Sequence, residues 1–151
     1  VLGHPEHEAG TISAALVKQG GAGFERMEWD DEEGKSAVTD YRVVSSAGDK
    51  ISWLELWPRT GRTHQLRAHC KLLGTPIIGD AKYAIHSPHV DQRVDLSEGL
   101  LADVADRMCL HARELVIERP GKKPLTVTAP LPKHMKEAFK DLGFSEAEAR
   151  E

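Results

Sequence analysis

The stretch Pro58–Asp80, PRTGRTHQLRAHCKLLGTPIIGD, places three arginines, one lysine and two histidines in 23 consecutive residues, with no carboxylate before the last position. The chain around it is net acidic, with 20 Lys and Arg against 24 Asp and Glu, a formal charge of −4. A general attraction to phosphate backbones is thereby excluded, so any contact with nucleic acid has to be local. Within the stretch, Pro58 closes what precedes it, Gly61 permits a turn, and Thr63 is placed to cap a helix over residues 64–73. Leu66, Cys70 and Leu73 recur at i, i+4 and i+7 on one face, while His64, Arg67 and Lys71 line a neighbouring stripe. Gly74 ends the helix, and Thr75–Asp80 reads as a short buried strand running into a turn.

Upstream, Ser36–Val44 (SAVTDYRVV) and Ile51–Trp57 (ISWLELW) alternate around a Gly-Asp turn, which predicts a β-hairpin. Clustered glycines (Gly20, Gly21, Gly23) followed by the acidic run Asp30–Glu33 read as a solvated loop or a weakly ordered hairpin. Downstream, His86–Gly99 is polar and aperiodic and reads as a surface loop, with a short helix after it over residues 100–106. Leu115–Ile117 and Leu125–Thr128 flank Arg-Pro-Gly-Lys-Lys-Pro as a second strand-turn-strand unit. Met135, Ala138, Phe139 and Leu142 then fall at helical spacing, and the SEAEARE tail reads as an exposed or frayed helix.

A chain of 151 residues with 40% hydrophobic composition supports one globular domain. Cys70 and Cys109 have neither CxxC spacing nor a partner pattern, which points away from a disulfide framework or a zinc knuckle and towards a reducing compartment. No apolar run reaches the length of a membrane span and no signal peptide opens the chain, so the cytoplasm is the expected location. The chain opens on Val-Leu-Gly-His-Pro, without an initiator Met, and reads as a fragment.

From the residues alone, GRTHQLR joins a glycine turn, a guanidinium, a cap hydroxyl and a helix start, a combination suited to an anion or phosphate. Solvated arginines beside an ordinary cap fit it equally. His86 and His89 have ligand-like spacing with Asp91 nearby, but an intervening Pro and the absence of HExxH favour incidental loop histidines over a metal-dependent hydrolase. His64, His69 and His111 lie beside apolar positions, where hydrogen-bonded structural histidines are the common outcome. Walker, GxGxxG and GxSxG motifs are absent.

GRTHQLRAHCKLLGTPIIGDAKY (Gly61–Tyr83) closely resembles the second half of the RluA-like pseudouridine synthase signature. Gly34–Thr39 resembles the family's segment before its hairpin, and Leu110-His111-Ala112, Pro120-Gly121 and Ala129-Pro130 resemble its C-terminal hairpin, so the likeness runs from Val1 to about Leu131. The resemblance implies an α+β fold, a mixed, mostly antiparallel sheet with packed helices. It implies isomerisation of uridine to pseudouridine in structured RNA, ribosomal RNA above all, without metal or organic cofactor. It casts residues 1–151 as the C-terminal part of one catalytic domain.

On the same resemblance, Arg67 pairs with and orients the catalytic aspartate. Arg62 meets RNA phosphate, His64 and Gln65 shape the pocket or the helix start, and Leu110 packs near the flipped base or is plain core. Tyr83 is structural. The family's nucleophilic aspartate lies in an HRLD-x-x-TSG stretch upstream, with a pocket tyrosine after it, and neither occurs among these 151 residues. Arg93–Gly99 imitates that stretch, but its serine and glycine are misplaced and its histidine is missing, so Asp95 is rejected as the nucleophile. The expected partners are therefore structured RNA and the upstream half of the same domain, and this chain alone is expected to be inactive. A module that binds RNA or a partner without catalysis is the alternative.

Overall fold

The computed structural model describes residues 1–84 and 107–150. The predicted hairpin is present as β4 (Val38–Ala47) and β5 (Ile51–Pro58), preceded by β1 (Ala9–Ser13), β2 (Leu16–Gln19) and β3 (Arg26–Trp29). Helix α1 spans Gln65–Leu72, β6 (Glu114–Ile117) and β7 (Leu125–Thr128) form the second predicted hairpin, and α2 spans Lys133–Leu142. A 3-10 turn, Glu146–Arg150, follows. Every strand pairing among the described residues is antiparallel, and the strands fall into three sheets, β1-β4-β5, β2-β3 and β6-β7, which with the packed helices give the expected α+β fold. No helix among the described residues is long and apolar enough to cross a membrane.

The glycine-rich segment forms the β2-β3 hairpin, and β1 was not foreseen at all. Strand β1 carries Gly10 directly opposite Tyr41, and a Cβ on Gly10 would sit 3.0 Å from the Tyr41 ring. Tyr41 therefore covers the bare glycine, so pairing is stabilised by a residue 31 positions away that local propensity does not register. In β4, Thr39 and Tyr41 point inward between more exposed neighbours until the register shifts between Val43 and Ser45, a bulge that resets the alternation.

Two apolar clusters hold these pieces. Leu2, Ile51, Ile78 and Ala138 form one, with Cys109, Leu142 and Phe144 against it. Leu16, Ala37, Ala68 and Tyr83 form the other, joined by Met27. Helix α2 reaches the sheet through Phe139, whose ring centroid lies 4.6 Å from that of Trp53. The tail is an exposed helical turn, one of the two expected outcomes, and it is held in place by Arg42, whose Nη2 donates to the Ala149 carbonyl (2.9 Å) as well as to Glu55.

Thr75–Asp80 is buried but is not a strand. Its backbone is satisfied by single bonds from two directions, Leu2 N–H to the Pro76 carbonyl and Cys109 N–H to the Ile78 carbonyl, both 2.9 Å. Gly79 permits this at φ 76°, and a Cβ there would lie 2.0 Å from the Arg107 carbonyl oxygen. Only glycine fits that approach.

Candidate active site around Arg67

Helix α1 begins differently from the expectation. His64, not Thr63, is the N-cap residue, in the left-handed conformation (φ 51°, ψ 25°) and with no side-chain cap. Gln65, the first helical residue, instead ties the loop before the helix to β4. Its Oε1 accepts from Arg62 N–H (3.0 Å) and Thr60 Oγ1 (2.6 Å), and its Nε2 donates to the Val38 carbonyl and Thr39 Oγ1, both 3.0 Å.

The buried face of α1 consists of Gln65, Ala68, His69 and Cys70 rather than the Leu66-Cys70-Leu73 row. Apolar spacing missed this because two polar residues on that face find buried partners. His69 Nε2 faces the Ala14 carbonyl (3.0 Å), so it carries the proton, and Nδ1 accepts from Thr39 Oγ1 (2.8 Å). A directed chain thus runs from Gln65 through Thr39 and His69 to Ala14, locking α1 to β4 with a neutral ring. Burial, only partly offset by the Ala14 carbonyl, keeps the His69 pKa below its usual range. His69 is structural, as its sequence setting suggested. Burial also pushes the Cys70 thiol up to about 12 and raises Cys109, so neither is poised as a thiolate nucleophile.

On the neighbouring stripe, Arg67 meets a carboxylate that the sequence reading left unassigned. Its Nε donates to Asp80 Oδ2 (2.9 Å) and its Nη2 to Asp80 Oδ1 (2.8 Å). The Asp80 side chain is fully buried, whereas 18% of the Arg67 side chain remains exposed. Burial pushes the Asp80 carboxyl up, but the Arg67 hydrogen bonds and charge, with the N–H groups of Tyr83 and Lys82, outweigh it and hold it below the ordinary carboxylate range. Arg67 is raised in turn, chiefly by the bond to Asp80.

Tyr83 completes the group. Arg67 Cζ lies 5.0 Å from its ring centroid, and its hydroxyl accepts from Met27 N–H (2.9 Å) and lies 3.0 Å from His64 Nδ1. Burial, then Arg67 and Lys82, lower the His64 pKa and favour the neutral ring. Arg62 is anchored through Nε to the Ser36 carbonyl (2.8 Å) at the helix entrance.

The structure therefore gathers His64, Gln65, Arg67 and Arg62 around the start of α1. Leu110, half-buried in the segment leading to β6, takes no part in this network. A hollow of about 320 Å3 beside α2, walled by Phe139 and Phe144, shares no residue with it. No three potential ligand residues gather as for a metal ion among the described residues. His86, His89, Asp91 and the Arg93–Gly99 imitation lie outside them.

The family model for RNA pseudouridylate synthase matches residues 1–72. An uncharacterized RNA pseudouridine synthase of Zymomonas mobilis is 39% identical over 146 residues, covering 94% of this chain and 57% of that protein. The chain belongs to the RluA-like family of RNA pseudouridine synthases. Within the family, the ribosomal large subunit pseudouridine synthase C of Rickettsia typhi is 40% identical over 81 residues, 54% of this chain and 27% of that one. The solved structure of human RNA Pseudouridylate Synthase Domain Containing 1 superposes with a TM-score of 0.64 at 34% identity, covering 87% of this chain and 51% of that one. The chain thus spans little more than half the length of the Zymomonas and human proteins.

Proposed function

We propose that this chain supplies half of the active site of an RNA pseudouridine synthase that acts on ribosomal RNA in the cytoplasm, the other half coming from the upstream part of the same domain. The observation that carries the reading is the state of Arg67. A guanidinium has five N–H donors, and Asp80 takes Nε–H and one on Nη2. The end-on pair, Nη1 and Nη2, is left for a second anion in the bidentate geometry that suits a carboxylate. An aspartate delivered there is oriented and kept ionised by the adjacent positive charge. Arg62 supplies phosphate contact, and His64 and Gln65 fix the shape of the helix start.

The backbone supports the partner. Leu2 bridges to Ile51 antiparallel, with Val1 and Ser52 exchanging bonds of 2.9 and 3.1 Å. A strand continued back from Val1 in this register would run beside Trp53–Pro58, an edge that no strand covers among the described residues. The ribosomal target rests on the name of the Rickettsia relative.

The test uses the complete domain and ribosomal RNA, scoring uridine-to-pseudouridine conversion. Wild type converts. Arg62→Ala weakens RNA binding and lowers the salt slope by about one. A complete domain that binds RNA yet converts no uridine would replace this reading with a binding module.

A further inference from the structure

Asp80 is held by main chain as well as by Arg67. Its Oδ1 accepts from the N–H groups of Lys82 (3.1 Å) and Tyr83 (3.2 Å) in addition to Arg67 Nη2, while Oδ2 takes Arg67 Nε. Its place is therefore set by the turn that follows Gly79 and not by a mobile side chain. The two bonds to Asp80 fix the guanidinium within its own plane. Arg67 Cζ also sits over the Tyr83 ring, 5.0 Å from its centroid, and that ring is buried and tethered at its hydroxyl. Rotation and tilt are both restrained before any ligand arrives.

We propose that Asp80 is a positioning residue for catalysis: anchored to its own turn, it aims the end-on edge of Arg67, with Tyr83 as the platform, so that the incoming aspartate meets a fork already in place. The inference rests on the reading of Arg67 as the aspartate's partner. It explains why the basic stretch ends on a carboxylate. An arginine free to turn would bind the aspartate in several arrangements, and a displacement near 1 Å costs on the order of 100-fold in rate.

Asp80→Glu retains the charge but inserts a methylene, which moves the guanidinium outward. Asp80→Asn turns an N–H towards Arg67 Nε–H, donor against donor. In the complete domain both variants are expected to lose about 100-fold in kcat while KM for ribosomal RNA changes less than threefold. A purely structural Asp80 would instead leave kcat per folded molecule intact in Asp80→Glu. The second measurement needs no substitution. In the 151-residue chain, the Arg67 Nε–H resonance should exchange with water far more slowly than that of free arginine. Free-arginine exchange at Arg67, or wild-type kcat in a folded Asp80→Asn, overturns the inference and leaves the proposed function standing. A wild-type domain that converts no uridine removes both.

Discussion

The Arg67 group and the β6-β7 hairpin carry a similar density of informative residues, and the fold treats them in opposite ways. Around α1, buried donors meet acceptors inside the chain: Gln65 with Thr39 and Val38, His69 with Ala14, Arg67 with Asp80. In the hairpin, Leu115 opposes Val127 and Ile117 opposes Leu125, which puts four apolar side chains on one face. They stay exposed, Leu115 by 60% and Val127 by 49%. Apart from the end-on edge of Arg67, which is left for the proposed aspartate, the polar groups of the first region are finished by this chain. The second presents an apolar face of the kind that a further piece of protein covers.

The largest effect expected lies at the finished end. Arg67→Ala strands a fully buried carboxylate, so the isolated chain should lose about 3 kcal/mol in denaturant unfolding, and the complete domain should lose at least about 100-fold in kcat. The pairing with Asp80 means that this substitution is not neutral to the fold, so activity has to be normalised to folded protein. Unchanged stability would show that Asp80 has another partner.

His69→Ala comes next, at about 2–4 kcal/mol, because it opens a cavity and leaves Ala14 and Thr39 without their shared partner. The same histidine predicts a pH dependence. Its folded pKa is lowered, so above about 6.5 the ring is neutral in both folded and unfolded chains. Below that the unfolded chain takes the proton first. Stability should therefore fall as pH drops below about 6.5, by at most about 1.4 kcal/mol per pH unit for one ring. Asp80, also lowered, adds a loss in the same direction below about pH 4. His64, also lowered, acts in the same direction, so thermal melts of wild type and His69→Ala from pH 8 to 5 check the first window, and equal pH slopes would mean that His69 titrates normally.

Legibility in the sequence followed the same division. Hairpins β4-β5 and β6-β7 and helix α2 could be read because each is specified by its own alternation or spacing. Strand β1 could not, since Gly10 depends on the remote Tyr41 ring. The buried face of α1 was misplaced because periodicity counts Leu66 and Leu73 as inward and cannot know that Gln65 and His69 have partners waiting. Thr75–Asp80 looked like a strand by composition, yet its backbone bonds go singly to Leu2 and Cys109. For the site, the family pattern located Arg67, but not its resident partner. Asp80 lay inside the matched stretch and was its sole carboxylate, 13 residues on from Arg67, but nothing in the pattern gave it a role.

The smallest effect belongs to the unfinished region. Leu115→Ser and Val127→Thr should each change the stability of the isolated chain by under about 0.5 kcal/mol, since neither side chain is buried. They should nonetheless reduce its self-association in sedimentation velocity runs. A large loss of stability would show that the face is already covered.

If Arg67 serves an aspartate that these 151 residues do not carry, turnover needs both halves of the site. The direct measurement is conversion of uridine to pseudouridine in ribosomal RNA by the chain purified under denaturing conditions and refolded, with and without the upstream segment of its domain. No conversion is expected from the chain alone, and conversion is expected once the upstream segment is added. Conversion by the refolded chain alone would contradict this, and the assignment of Arg67 as partner to an upstream aspartate would fall.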